Sequence, residues 1–397
     1  RQMCIRDSLF LIAPAVETFT EVKGFSLLLR VQSVCVLIRA FYVVNVSQIT
    51  RALNYPKLAK ITLASQFTST AVSIVMAYCG MGVWSLLFKT ILLDFSCCFI
   101  YAIASPFRYK IAFDKESFRQ LFSFGFPVAL ANIIESLYAN IVSFVIGKAY
   151  SVKDLGYFTQ ANSLKQIPVY SISAVINQVF FPFFSRIQDD TNALAQKYRT
   201  TIRVVTFFIY PILSYLIFFA NPVITVLYSE KWIPCVPLFQ VLCLSGYLNA
   251  LYHLSRSTIK AIGKSKLLLN TQVISLLLSL LFVCLFLRSD IEIFVWVIVI
   301  DAVISYSIVG FCIGKYLNYS LFRQVADWGG SFIVSMVVAY ITSIVATKIH
   351  IPMIAEVIIF FVLNTGLYFI TSILLKNDIA TMAINVIKNK VNKKTDV

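Results

Sequence analysis

The sequence predicts an all-α integral membrane protein, a polytopic helical bundle, and three observations carry that reading. Of 397 residues, 59% are hydrophobic and only 13% charged, whereas a soluble domain carries roughly 25% charged residues. Mean hydropathy is +0.82. Nearly uncharged stretches recur along the whole chain, each about 20 residues long and able to cross a hydrocarbon core of about 30 Å as a helix. Helices are the expected element because unpaired backbone groups cannot face lipid.

The elements follow in order. LFLIAPAV, from Leu9 to Val16, ends at Glu17. It is about half a span long and reads as the tail of a helix whose beginning is absent. Residues 1–8, RQMCIRDS, fit neither a signal peptide nor a helix continuing into Leu9, and read as a non-native start. Eleven complete spans are expected: 25–46, 61–79, 82–104, 122–146, 158–184, 204–227, 236–255, 267–287, 291–314, 328–347 and 352–375. Arg108, Lys110, Lys115 and Arg119 mark 105–121 as a polar linker. YSEKWIPCVPLFQ, from residue 228, reads as an architectural turn between two spans. Trp232 suits the headgroup level and Pro234 the first turn of the next helix; a gating role for Glu230 and Lys231 is the rival reading. The tail 376–397 is basic.

Basic residues fix the expected orientation. Counted between spans, 22 Lys and Arg fall on one side and six on the other, and the alternation holds across all eleven spans. The richer side, with the C-terminus, is expected to be cytoplasmic. The net charge of +16 then reflects this bias and anionic lipid headgroups rather than nucleic-acid binding. Connections on the other side are short, with no room for an external domain. The sequence contains no Gly-rich phosphate cradle, no metal-ligand spacing and no Ser/His/Asp set, and its histidines are His253 and His350. No enzymatic activity and no cofactor are expected. The nine cysteines are scattered, mostly within spans, and read as small apolar fillers.

One internal repeat stands out. RALNYPKL (Arg51 to Leu58) and KAIGKSKL (Lys260 to Leu267) share a basic residue, Ala, an aliphatic residue, a turn-permitting Asn or Gly, and a closing Lys-Leu. They lie six crossings apart on the same side, as parallel repeats of two six-helix bundles would place them. Chance similarity of two basic turns is the alternative.

Polar residues inside spans are costly in lipid and point to a cavity. In 122–146, Asn132, Glu135, Ser136, Asn140 and Ser143 recur at helical spacing; in 158–184, Ser163, Gln166, Tyr170, Ser173 and Asn177 do the same. These two helices are expected to face each other across a cleft. Interhelical hydrogen bonding, worth about 0.6 kcal/mol each, is the competing reading. Asp94 is expected to partner Lys89, five positions away, and Asp301 sits mid-span with no evident partner.

Three segments carry a family resemblance: FGFPVALANIIESLYANIVSFVIGKAYSVKDLGYFTQANSL (Phe124 to Leu164), FFPFFSRIQDD (Phe180 to Asp190) and YSEKWIPCVPLFQVLC (Tyr228 to Cys243). They resemble the bacterial polysaccharide-export flippases, the Wzx-type branch of the multidrug/oligosaccharidyl-lipid/polysaccharide (MOP) superfamily, over about Leu9 to Leu375. The resemblance implies a two-lobed MOP/MATE-like transporter fold of about fourteen helices, of which eleven are complete here and the first two are missing. It divides the chain into 9–104, the end of the first lobe; 105–121, an inter-lobe linker; 122–314, the second six-helix lobe; and 315–375, two further helices.

The resemblance also implies a function. Such a protein moves polyprenyl-pyrophosphate-linked oligosaccharide repeat units from the cytoplasmic to the outer leaflet of the bacterial cytoplasmic (inner) membrane by alternating access. Its expected partners are that lipid-linked oligosaccharide, membrane lipids and other polysaccharide assembly proteins. Passing a pyrophosphate needs positive charge in a wet cavity, for which Arg30, Arg39, Lys89, Lys148, Lys165 and Arg256 are candidates. Arg39 is the deepest and Lys165 lies beside Gln166, while Arg30, Lys148 and Arg256 read better as snorkelling cations. Glu135, Asp94 and Asp301 are the candidate carboxylates for a coupling H+ or Na+. The chain departs from many relatives where Ala139 and Val142 replace an Arg and an Asp. A multidrug or cation antiporter of the same superfamily is the alternative function, followed by a membrane glycan polymerase or ligase.

Overall fold

The computed structural model describes residues 10–14, 17–18, 24–52, 54–104, 114–349 and 351–382. The expected non-native start, residues 105–113 of the expected linker, His350 and tail residues 383–397 lie outside them. Among the described residues helices are the sole regular element, and eleven are long and apolar enough to cross a membrane. The chain forms two compact units that divide between Phe113 and Asp114.

The first unit contains α1 (Phe25–Arg51), α2 (Tyr55–Tyr78) and α3 (Val83–Ala104). Helix α2 starts six residues before its expected span. The Asn54 side chain accepts from the Lys57 amide, and Pro56 occupies the first turn, where its missing N–H costs nothing. The buried face of α2 is Ile61, Ser65, Ser69 and Ser73, at a strict four-residue spacing, while Phe67 and Val75 point outward. This inverts the soluble pattern for a physical reason. Lipid tails are as apolar as leucine, so helices associate through small residues that let backbones approach.

The second unit begins with α4 (Lys115–Ala149) and α5 (Val152–Val175). A π-turn (Ile176–Phe180) and α6 (Phe181–Arg186) continue α5. Then come α7 (Thr191–Phe218), α8 (Ala220–Tyr228), α9 (Val236–Ala261), α10 (Ser265–Phe286), α11 (Ile291–Tyr316), α12 (Leu321–Lys348) and α13 (Met353–Leu374). Helix α9 is the hub, packing against α5, α7, α10 and α11.

Capping explains where the helices outrun their expected spans. Asp114 accepts from the Glu116 and Ser117 amides, so the expected linker 105–121 is already helical from Lys115. Asp190 starts α7 at Thr191 rather than 204 by the same device. Ser151 and Asp154 form a reciprocal capping box, which shortens the α4–α5 connection to Tyr150 and Ser151.

The expected span 204–227 is broken at Phe219, between α7 and α8. In the turn after α8, Ser229 takes φ 78° and Glu230–Cys235 form a 3-10 turn holding Pro234. Pro237, not Pro234, sits in the first turn of α9, because the 3-10 turn delays the helix to Val236. Trp232 packs edge-on to Tyr157 at 5.9 Å, which supports the architectural reading of this turn.

The two repeat-like loops are both three-residue connectors closed by an i to i−5 amide bond, Asn54 to the Ile49 carbonyl and Lys264 to the Ile259 carbonyl. Their geometry is shifted one residue from the sequence match.

Helices α12 and α13 pack within the second unit. Asp327 on α12 accepts from Arg199 and Arg203 on α7 and from Tyr319, and Arg203 also reaches Asp378 at 2.7 Å. Deeper in, Ser214 bonds Tyr247 at 2.7 Å and Ser335 at 2.9 Å. Helices α11 and α12 close over Gly310 and Gly314. A Cβ on Gly314 would stand 2.5 Å from the Tyr319 carbonyl oxygen.

Candidate functional site

The polar stripes of α4 and α5 meet in a cavity of about 530 Å³ that lies wholly within the second unit. Five helices line it. Helix α4 brings Asn132, Glu135 and Ser136; α5 brings Asn162, Lys165, Gln166 and Tyr170. Helix α9 brings Asn249, Tyr252 and His253; α10 brings Gln272, Ser275 and Ser279; α11 brings Asp301 and Ser305. Each set recurs every three or four residues, which keeps it on one helical face.

A charge cluster closes one wall. The Arg256 guanidinium donates to Glu135 Oε2 at 2.5 Å, to Asn132 Oδ1 at 3.0 Å and to the Tyr252 hydroxyl at 3.1 Å. Tyr252 in turn donates to Gln272 Oε1 at 2.6 Å. One hydrogen-bonded chain therefore ties α9 to α4 and α10. Arg256 is 3% exposed, so this is a buried cation whose lost hydration is replaced by a carboxylate, an amide oxygen and a phenol.

On another wall, Asp301 accepts from the Ser279 and Ser305 hydroxyls and, among the described residues, makes no ion pair. Lys165 is 2% exposed, and among the described residues its ammonium makes neither a hydrogen bond nor an ion pair. The cavity thus presents the Lys165 ammonium and the hydroxyl-held Asp301 carboxylate, which act on each other electrostatically, with several amides and the rings of Tyr138, Tyr170 and Phe158.

The structure sorts the sequence candidates. Asn132, Glu135, Lys165, Gln166, Tyr170 and Asp301 share the cavity. Asn140 and Asn177 do not line it: each donates back to its own helix, to the Ser136 and Ser173 carbonyls. Arg39 and Asp94 lie in the first unit and bind each other, at 2.9 and 3.0 Å through the Arg39 Nε, and the Tyr42 hydroxyl adds a third contact at 2.9 Å.

That pairing corrects the expected Lys89–Asp94 partnership. Five residues along a helix is about 500°, so Lys89 and Asp94 point roughly 140° apart. Arg256 is also corrected, from a snorkelling cation to a buried one. The sequence signal was present in Asn249, Tyr252, His253 and Arg256, a polar stripe at helical spacing on α9. Gln272, Ser275 and Ser279 on α10 form a second such stripe.

The model of a family described as polysaccharide biosynthesis protein matches residues 3–237. The chain belongs to the polysaccharide biosynthesis protein family. Among relatives of this family member, the teichuronic acid biosynthesis protein TuaB of Bacillus subtilis (strain 168) is 23% identical over 261 residues, 65% of this chain and 54% of that one. The succinoglycan biosynthesis transport protein ExoT of Rhizobium meliloti (strain 1021) is 25% identical over 245 residues, 60% and 48% of the two chains.

The chain spans about half the length of these two relatives. Two solved structures share the fold. The lipid II flippase MurJ in an inward closed conformation has a TM-score of 0.61 at 16% identity, covering 94% of this chain and 83% of that one. A MATE structure in complex with MaL6 has 0.63 at 17%, covering 82% and 77%. This polysaccharide biosynthesis family member is a multi-pass membrane protein with a MOP/MATE-like fold.

Proposed function

We propose that the protein moves polyprenyl-pyrophosphate-linked oligosaccharide repeat units from the cytoplasmic to the outer leaflet of the bacterial inner membrane, for surface polysaccharide export. The observation that carries this reading is a cavity of about 530 Å³, rich in amides and hydroxyls, enclosed by apolar membrane-length helices in a polysaccharide biosynthesis family member. Sugar hydroxyls need such partners, because an unpaired polar group in a dry environment costs several kcal/mol. The family assignment and the names of the relatives support a polysaccharide precursor as cargo.

Transport of this kind needs no covalent step. Alternating access exposes the polar path to each leaflet in turn, while the prenyl tail stays in lipid. Of the three candidate coupling carboxylates, Glu135 is committed to Arg256 and Asp94 to Arg39. Asp301, which accepts from the Ser279 and Ser305 hydroxyls and makes no ion pair among the described residues, is left as the group able to take up a proton or sodium ion. The C-terminus is assigned to the cytoplasmic side by the basic bias between spans.

Deletion of the complete gene tests the reading. Lipid-linked repeat units are expected to accumulate on the cytoplasmic leaflet and surface polysaccharide to fall. A normal lipid distribution with altered drug tolerance would mean efflux instead.

A further inference from the structure

We infer that the second-unit cavity takes an uncharged sugar unit of the transported glycan, and that its balanced charges disfavour both acidic sugars and the pyrophosphate. This inference rests on the polysaccharide-transport reading and names the substrate chemistry of the same cavity.

Charge balance is the first observation. The cavity wall carries Glu135, Lys165 and Asp301, and Arg256 bonds Glu135 from α9. Lys165 and Asp301 act on each other electrostatically. Two cations therefore meet two carboxylates, and the wall holds no surplus of either sign. Lys260, the next cation along, lies in the last turn of α9 and does not line the cavity. A carboxylate or phosphate entering here would shed its hydration and face Glu135 and Asp301 as well as Lys165. A sugar hydroxyl escapes that cost, because it can accept from the ammonium and donate to a carboxylate.

Free hydrogen-bonding capacity is the second observation. The Ser275 hydroxyl lines the cavity and, among the described residues, is buried without a hydrogen-bond partner. A buried polar group in that condition calls for a partner from outside the chain. The half-buried amides of Asn162, Gln166 and Asn249 face the same space. Each amide both donates and accepts, as sugar hydroxyls do.

The third is a stacking surface. Tyr170, 61% exposed on the cavity wall, stands one helical turn from Gln166 and offers an aromatic face to a pyranose ring. A cavity of about 530 Å³ lies within the range of small-ligand pockets. The pyrophosphate is held elsewhere on the path, and the cavity reads the neutral saccharide.

The test uses the full-length protein in lipid nanodiscs at about pH 8, above the ordinary imidazole value, so that His253 adds no charge. Ligand-observed NMR measures binding of methyl β-D-glucoside, methyl β-D-glucuronide, inorganic pyrophosphate and tetraphenylphosphonium. The glucoside is expected to bind about tenfold or more tighter than each charged probe, the size of one uncompensated charge. Asp301→Asn keeps an oxygen for Ser279 and Ser305 but leaves the wall with a surplus cation. That variant should reverse the order of the two sugars. A wild type that binds the glucuronide, pyrophosphate or the phosphonium as tightly as the glucoside, or binds neither sugar, overturns the proposal. So does a folded Asp301→Asn variant that keeps the wild-type order, and the wild-type comparison stands even if the variant fails to fold. Leaflet accumulation in the deletion strain is read separately. Accumulation without a preference for the neutral sugar removes this inference alone, whereas absence of accumulation removes the transport reading.

Discussion

Arg256 on α9 donates to Glu135 on α4, joining two helices across the wall of an intramembrane cavity. The partners are unequally solvated: the Arg256 side chain is 4% exposed and that of Glu135 37%. Removing the carboxylate strands a buried cation, whereas removing both charges does not. Glu135→Ala is expected to destabilise the protein by about 1–3 kcal/mol, below the 3–5 kcal/mol of a fully buried pair because Glu135 is partly exposed. Arg256→Met combined with Glu135→Ala should recover most of the loss. Thermal unfolding of the four-member cycle in detergent measures the coupling, and additive losses would show the pair to be independent.

Asp94 plays the matching part in the first unit, buried at 3% beneath Arg39 and Tyr42. Arg39 is 57% exposed, so Asp94 is the more enclosed partner. Asp94→Asn, which keeps an oxygen that can accept from Arg39, is expected to cost less than Arg39→Met, which strands the buried carboxylate. Chemical denaturation of the two variants checks the order.

Asp327 gathers Arg199, Arg203 and Tyr319 at the α7–α12 contact. Asp327→Asn should loosen α12 and α13 from the rest of the second unit. The readout is faster amide exchange in 321–348 with little change in α9. Uniform exchange across the unit would contradict this role.

Gly314 admits no side chain, since a Cβ would meet the Tyr319 backbone oxygen at 2.5 Å. Backbone cannot swing aside as a flexible side chain can. Gly314→Ala is expected to cost about 1–3 kcal/mol, the range for overpacking. Gly329→Ala, where a Cβ meets nothing within 4 Å, is the neutral control.

Asp114, at the start of α4, has its carboxyl held below the usual range by the Ser117 hydroxyl first, then by the Ser117 and Glu116 amides. A depressed folded-state value means its contribution is present above the unfolded carboxylate value and is lost as pH falls through the folded one. The first turn of α4 should fray on acidification, followed by backbone carbon shifts. Asp114→Asn, still a capping residue, should remove the pH dependence.

Helix count and the cavity's two founding stripes were legible because an amide or a carboxylate in an apolar span is conspicuous. Glu135, Lys165 and Asp301 announce themselves in this way. Arg256 did not, because it falls just beyond the apolar stretch 236–255. Helix α9 runs on to Ala261, which turns an expected interfacial cation into an interior one. Hydropathy marks where a segment is apolar, not where its hydrogen-bond ladder ends. The ladder ends are set by Asp114, Ser151 and Asp190, whose capping roles emerge only from geometry. The Arg39–Asp94 pair was missed because it links residues 55 apart on different helices, and periodicity within one helix carries no such information.

The central claim is translocation, and reconstitution tests it most directly. Full-length protein in proteoliposomes, loaded with a fluorescent polyprenyl-pyrophosphate saccharide, would be assayed for probe accessible to an external glycosidase over time. Transfer faster than in protein-free vesicles, and slowed by Glu135→Ala, is the predicted result. Transfer at the rate of empty vesicles would contradict it.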